Sequence, residues 1–289
     1  MGKTPPCFRL EGDLFVSASD RRLHAILFAA GIYIVFGLGW TFVGLRWVGP
    51  QITAMLQAPS WLPPSVWAAE SDTWMAIRSF VATLSGEIVL PLVLYLLLVR
   101  RYGLVPLLRR PVRFGAAALV SLASVAGAVA FAATQDAVLG AADAVMLLLF
   151  LGVVGPCEEW SFRGVLTRVM ADRIGLLPAA LVVSAAFGLN HVFEGLFVGH
   201  MSFGNDWAYI GTTALMGLIF TWVAWRSGSI LWAATVHGLN DWLSVTAFQG
   251  TGLSLADNLV MVALALLGTE AVRLISGIAT RRNETTMTT

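Results

Sequence analysis

Eight stretches of about 20 mostly apolar residues, joined by short connections, constrain this chain more than any other feature. They fall near 24–45, 74–99, 114–134, 143–162, 175–193, 207–225, 229–248 and 253–275. A helix of about 20 apolar residues crosses the hydrocarbon of a bilayer, and lipid offers no partner for an open backbone. Composition points the same way. Only 12% of the 289 residues are charged and 57% are apolar, with a mean hydropathy of +0.78. A water-facing domain usually needs about a quarter of its residues charged, so much of this exterior must face lipid. The expected fold class is all-α: a polytopic membrane helix bundle of about eight spans. Residues 1–23 read as a cytoplasmic arm, 24–275 as the transmembrane bundle and 276–289 as a cytoplasmic tail ending in the frayed NETTMTT. The first apolar run is longer than the core of a secretory signal and lacks a small-residue cleavage site behind it, so it reads as a retained anchor.

Arginine placement orients the bundle. With both termini in the cytoplasm, the inside segments hold Lys3, Arg9, Arg21 and Arg22, then Arg100, Arg101, Arg109, Arg110 and Arg113. Arg163, Arg168 and Arg173 follow, then Arg226, then Arg273, Arg281 and Arg282. Of 18 basic residues only Arg46 and Arg78 fall on the other side, which satisfies the positive-inside rule. The longest connection, 46–73, carries Trp47, Trp61, Pro63, Pro64 and Trp67 and should lie at the headgroup level, where tryptophan concentrates. A net charge of +1 gives no case for nucleic acid, and the two cysteines, Cys7 and Cys157, are too few for a disulfide framework.

Ionisable residues inside the spans are the next clue, because each costs about 2.5–3.5 kcal/mol at mid-membrane even on a lenient scale. Span four ends in GPCEEWSFRGVL with Glu158, Glu159 and Arg163; span five ends in FGLNH with Phe187, Asn190 and His191; span seven holds HGLND with His237, Asn240 and Asp241. Glu159 and Arg163 share a helix face at i,i+4, as do Phe187 and His191, and His237 and Asp241. Glu158 is turned about 100° from Glu159 by the helical period. Carboxylates and imidazoles converging from three helices suffice to activate water and stabilise an oxyanion. Blander readings stand beside this one. Glu159 with Arg163 makes an ordinary ion pair, and a lone membrane histidine often only ties two helices together. Glu87 precedes Pro91 and reads as structural, Glu270 can snorkel, and His24 and His200 sit at interfaces.

Together the three segments resemble the CAAX protease and bacteriocin-processing family of intramembrane proteases, the type II CAAX prenyl endopeptidases. The family pattern EExxxR, FxxxH, HxxxN/D appears in order as Glu158-Glu159-Trp160-Ser161-Phe162-Arg163, Phe187 to His191, and His237 to Asp241. The resemblance covers roughly residues 143–250 and implies a cytoplasm-facing cavity in an eight-helix bundle. It implies an endopeptidase acting on a membrane-associated, prenylated or leader peptide, in the plasma membrane of a prokaryote, with membrane lipid as its surroundings. Glu158 would be the general base holding water with His191; Glu159 and Arg163 would brace the helix; His237 and Asp241 would stabilise the oxyanion, with Phe187 packed beside them. An ionised Asp241 can only accept a hydrogen bond, so either it is protonated or it orients His237.

Zinc is the alternative to a glutamate-only mechanism. Glu158, His191 and His237 could supply three ligands and leave a position for water, with Asp241 steadying His237, although no HExxH is present. The resemblance is compatible with either mechanism; the glutamate mechanism without a cofactor is the one expected here. Two rival functions use other chemistry: a non-proteolytic membrane scaffold or bacteriocin-immunity protein on the same fold, and a transporter or proton relay. The latter predicts paired half-repeats, and the sequence shows no internal symmetry.

Overall fold

The computed structural model describes residues 87–96, 111–134, 140–198, 207–246 and 255–287, with a few single positions before them. The described residues are helical and contain no strand. In chain order the helices are α1 (Val89–Leu94), α2 (Pro111–Thr134), α3 (Ala141–Ile174), α4 (Leu176–Val198), α5 (Trp207–Ser227), α6 (Ile230–Thr246) and α7 (Leu255–Met287). Span one, the 46–73 connection, His24, His200 and Cys7 lie outside the described residues.

Among the described residues, four stretches are long and apolar enough to cross a membrane: Phe114–Thr134, Ala141–Ile174, Trp207–Ser227 and Asp257–Thr280. At 1.5 Å per residue a 21-residue stretch reaches about 31 Å, the thickness of the hydrocarbon core. Their outer faces suit lipid and not water: Leu122, Leu148, Leu267, Leu274 and Ile278 are each 65–70% exposed. Each would forgo roughly 1.5–3 kcal/mol of transfer free energy in water.

α6 is the hub, buried along most of Ile230–Leu243. Because apolar contact adds little driving force inside lipid, close packing and polar ties between helices hold it. Thr235 donates to Ser121 Oγ on α2 (2.8 Å), Trp232 Nε1 donates to Thr269 Oγ1 on α7 (3.1 Å), and Trp242 Nε1 donates to the Asp143 carbonyl on α3 (3.1 Å). Glycines let the backbones approach. A Cβ on Gly155 would sit 2.5 Å from the Ala234 carbonyl oxygen, and one on Gly238 would sit 2.5 Å from that of Phe150. α3 and α6 therefore touch backbone to backbone at two places just before the two-glutamate segment.

Two boundaries differ from those read in the sequence. Span four was expected to end near 162, but α3 runs on to Ile174, where Gly175 turns left-handed at φ 88°. Its charges are paired inside the bundle and so do not end the helix. Arg163, counted above among the solvated cytoplasmic arginines, is 2% exposed within the helix; Arg168 and Arg173 further along remain solvated. The terminal NETTMTT, 283–289, was expected to fray, yet α7 continues through Met287. Glu270 behaves as the snorkelling reading has it. It is half exposed, takes a 3.1 Å contact from Arg226 Nε and also pairs with Arg273.

Candidate active site

α3 is not a uniform α-helix. It widens to π-helical turns at Phe150–Val154 and Trp160–Leu166, on either side of the short α-helical stretch Gly155–Glu159. A π turn leaves the α-helical ladder one residue out of step, and such turns recur at functional sites. Thr167 Oγ1 donates to the Phe162 carbonyl at 2.8 Å, satisfying one acceptor of the second wide turn.

Glu159 is fully buried and bridges two partners through one oxygen. Its Oε1 lies 2.8 Å from Arg163 Nη1 and 2.9 Å from His237 Nδ1. The i,i+4 pairing expected of Glu159 and Arg163 is thus present, and the glutamate also reaches across to α6. Arg163 spends the rest of its charge on aromatic faces. Its guanidinium carbon stands 4.3 Å from the Phe187 ring centre, 5.5 Å from Phe220 and 5.8 Å from Phe162. Such contacts are worth about 2 kcal/mol when desolvated. Gly217 makes the room, since a Cβ there would lie 2.9 Å from Arg163 Nη2.

His237 sits between the two glutamates. Nδ1 meets Glu159, while Nε2 lies 3.5 Å from Glu158 Oε2 and 3.3 Å from Asp241 Oδ2. A ring carrying hydrogen on both nitrogens finds a carboxylate acceptor at each. The imidazole is stacked on Phe220 (centroids 4.8 Å apart, 21° between planes) and edge-on to Phe187 at 5.8 Å. Glu158, 6% exposed, was expected to face a partner different from that of Glu159. The two carboxylates instead reach opposite nitrogens of one ring inserted between them.

His191 is placed differently. Its Nδ1 lies 2.9 Å from the Phe187 carbonyl of its own helix. A carbonyl can only accept, so Nδ1 carries the hydrogen and Nε2 holds the lone pair of the neutral ring. Phe187 packs edge-on at 4.8 Å and Tyr209 at 6.1 Å. The described contacts of His191 run to these rings and not to either glutamate. Among the described residues no group of three His, Cys, Asp or Glu side chains is gathered to hold a metal ion. Of the three expected zinc ligands, Glu158 and His237 are adjacent, with Glu158 Oε2 3.5 Å from His237 Nε2, while the contacts of His191 run to Phe187 and Tyr209.

Several contributors escaped the sequence reading. Phe220 lies in an apolar run with nothing to mark it, and Gly217 belongs to an unremarkable LMGL. Gly155 and Gly238 lie inside GPCEE and HGLND, where a small residue next to the polar group was the available signal. An apolar groove of about 850 Å³ between α2, α6 and α7 is lined by Trp232, Val236, Leu239 and Leu243 of α6. The helical period turns these residues well away from His237, so the groove is not part of the site.

Among protein-family models, residues 139–243 match that of the type II CAAX prenyl endopeptidase Rce1-like family. Neither a curated protein nor a solved structure matches the chain significantly. The matched segment begins just before α3 and ends within α6, and so contains Glu158, Glu159, Arg163, Phe187, His191, His237 and Asp241.

Proposed function

From the premise that residues 139–243 are a type II CAAX prenyl endopeptidase Rce1-like domain, we propose that this chain is an intramembrane endopeptidase. It hydrolyses a peptide bond of a membrane-associated, prenylated or leader peptide with water as the nucleophile. The observation that carries this reading is the buried imidazole of His237 held between Glu159 on one nitrogen and Glu158 and Asp241 on the other. A pure scaffold has no need of such a group, because each buried charge must be compensated.

Glu158 takes a proton from water as the oxygen attacks the scissile carbonyl. The Nε2 lone pair of His191 helps to hold that water. The carbonyl oxygen becomes an oxyanion, and the His237 Nε2–H, kept in place by Glu159 at Nδ1, donates to it. Glu158 then returns the proton to the departing nitrogen as the C–N bond breaks, giving a carboxylate and an amine with no acyl-enzyme. Asp241 orients His237 as an acceptor; it is not the oxyanion donor. Arg163 fixes Glu159, and the phenyl rings fix Arg163.

The bundle carrying this site has eight spans with both ends in the cytoplasm and lies in the plasma membrane of a prokaryote; arginine placement supports that orientation. No metal takes part in our reading. Purified protein assayed for peptide cleavage after chelation tests this: activity should persist, and loss of activity with rescue by zinc would replace the glutamate-only mechanism. His191→Ala separates protease from scaffold. Cleavage should fall about 100-fold or more with the fold retained, and the phenotype should be lost with it; a phenotype and partner binding that survive the loss of cleavage would favour the scaffold.

A further inference from the structure

Asn190 takes no part in the chemistry above, yet its placement demands a partner. It is 8% exposed, and among the described residues its side-chain oxygen meets no donor. Burying an amide oxygen without replacing its water is unfavourable, and native proteins rarely leave one so. Ser161 and Ser184 also carry unpartnered hydroxyls. A serine hydroxyl on a helix can rotate onto the carbonyl four residues back, an escape that an asparagine amide lacks.

The surroundings say what the partner is. The helical period groups Asn190 with Val183 and Ala186, on the side of α4 that packs against Leu94 of α1 and Phe162 of α3. One turn earlier, the buried Phe187 ring touches both His191 and His237. Asn190 thus flanks the site where α1, α3 and α4 meet. Hydrolysis requires a stretch of substrate backbone that is unwound, whether it comes from a helix or from a flexible tail, so the N–H and C=O groups beside the scissile bond have left their helix or water partners. The freed groups then need protein partners, because lipid offers none. A side-chain amide, with one acceptor oxygen and an NH2 donor, is the complement of a peptide unit.

We propose that Asn190 is a positioning residue that pairs with the main chain of the unwound substrate beside the scissile bond. The proposal rests on the protease reading. It calls for Asn190→Leu, close in shape and apolar, and Asn190→Ala as a second variant. Both are made in the full-length Glu158→Gln protein in nanodiscs, and binding of a fluorescent farnesylated CAAX peptide is measured together with thermal unfolding. The dissociation constant should rise about tenfold in both, the usual weight of one lost neutral hydrogen bond. The melting temperature should hold or rise, since an unpaired amide has been removed. In the Glu158 background, kcat/KM should fall by a similar factor. Unchanged affinity would overturn the proposal, as would a lowered melting temperature with unchanged affinity, which would assign the oxygen to internal packing. If the Glu158 parent failed to cleave the peptide, the protease reading would fall, and the affinity comparison would still decide the role of Asn190.

Discussion

Adding one methyl group at Gly238 tests whether the close approach of α3 and α6 is what builds the site. The new Cβ would stand 2.5 Å from the Phe150 carbonyl oxygen, 2.8 Å from its carbon and 3.1 Å from the Leu151 nitrogen. All three are backbone atoms, which no side-chain rotation can clear. Restoring ordinary contact requires α6 to withdraw by about 0.9 Å, since packed atoms tolerate little overlap. The neighbouring His237 moves with it. Its 2.9 Å bond to Glu159 would lengthen beyond about 3.5 Å and cease to be a hydrogen bond. Overpacking of this kind costs about 1–3 kcal/mol, and a misplacement near 1 Å costs about 100-fold in rate. Gly238→Ala should therefore melt lower and lose about 100-fold in kcat/KM in a vesicle-based cleavage assay. Gly155→Ala, opposed by the Ala234 carbonyl oxygen at 2.5 Å, should behave alike. Gly127→Ala and Gly277→Ala, with nothing within 4 Å of the added atom, serve as controls and should retain full activity. A Gly238→Ala protein as active and as stable as its parent would refute the reasoning.

Other substitutions read the same geometry. Glu159→Leu leaves Arg163 buried without its anion and should destabilise by about 3–5 kcal/mol in thermal unfolding; adding Arg163→Met should recover much of this without restoring cleavage, because His237 still lacks its acceptor. Asp241→Asn should keep kcat within about tenfold, since an amide oxygen still accepts from His237 Nε2, whereas Asp241→Leu should lose about 100-fold; equal effects in single-turnover assays would remove the orienting role. Glu270→Gln, at a half-exposed pair, should change stability by less than about 1 kcal/mol.

Much of this arrangement was legible because membranes impose strict rules. Apolar run length marked the helices, and charges inside lipid marked the site. The i,i+4 spacings predicted the Glu159–Arg163 and His237–Asp241 pairs, since both are contacts within one helix. Contacts between helices were not legible. That Glu159 also holds His237 depends on the rotation of α6 against α3, and two π turns shift that rotation in a way the regular period does not contain. That Glu158 and Glu159 meet opposite nitrogens of one ring was not legible for the same reason, because a ring can be gripped from two sides. Phe220 and Gly217 act only through packing across helices and look like any apolar span. Arg163 was counted with the arginines of the cytoplasmic side and paired with Glu159, and how deeply it is buried was not legible; three phenyl rings and a carboxylate make its burial tolerable.

The role of Glu158 as the group that activates water is tested most directly in purified full-length protein reconstituted into vesicles with a membrane-anchored peptide. Single-turnover cleavage by the parent is compared with that by Glu158→Gln, which keeps the shape and removes the base. The account predicts a loss of about 10²–10⁴-fold, the usual weight of a general base, with unchanged thermal unfolding and retained peptide binding. Cleavage by Glu158→Gln at the parent's rate would contradict it.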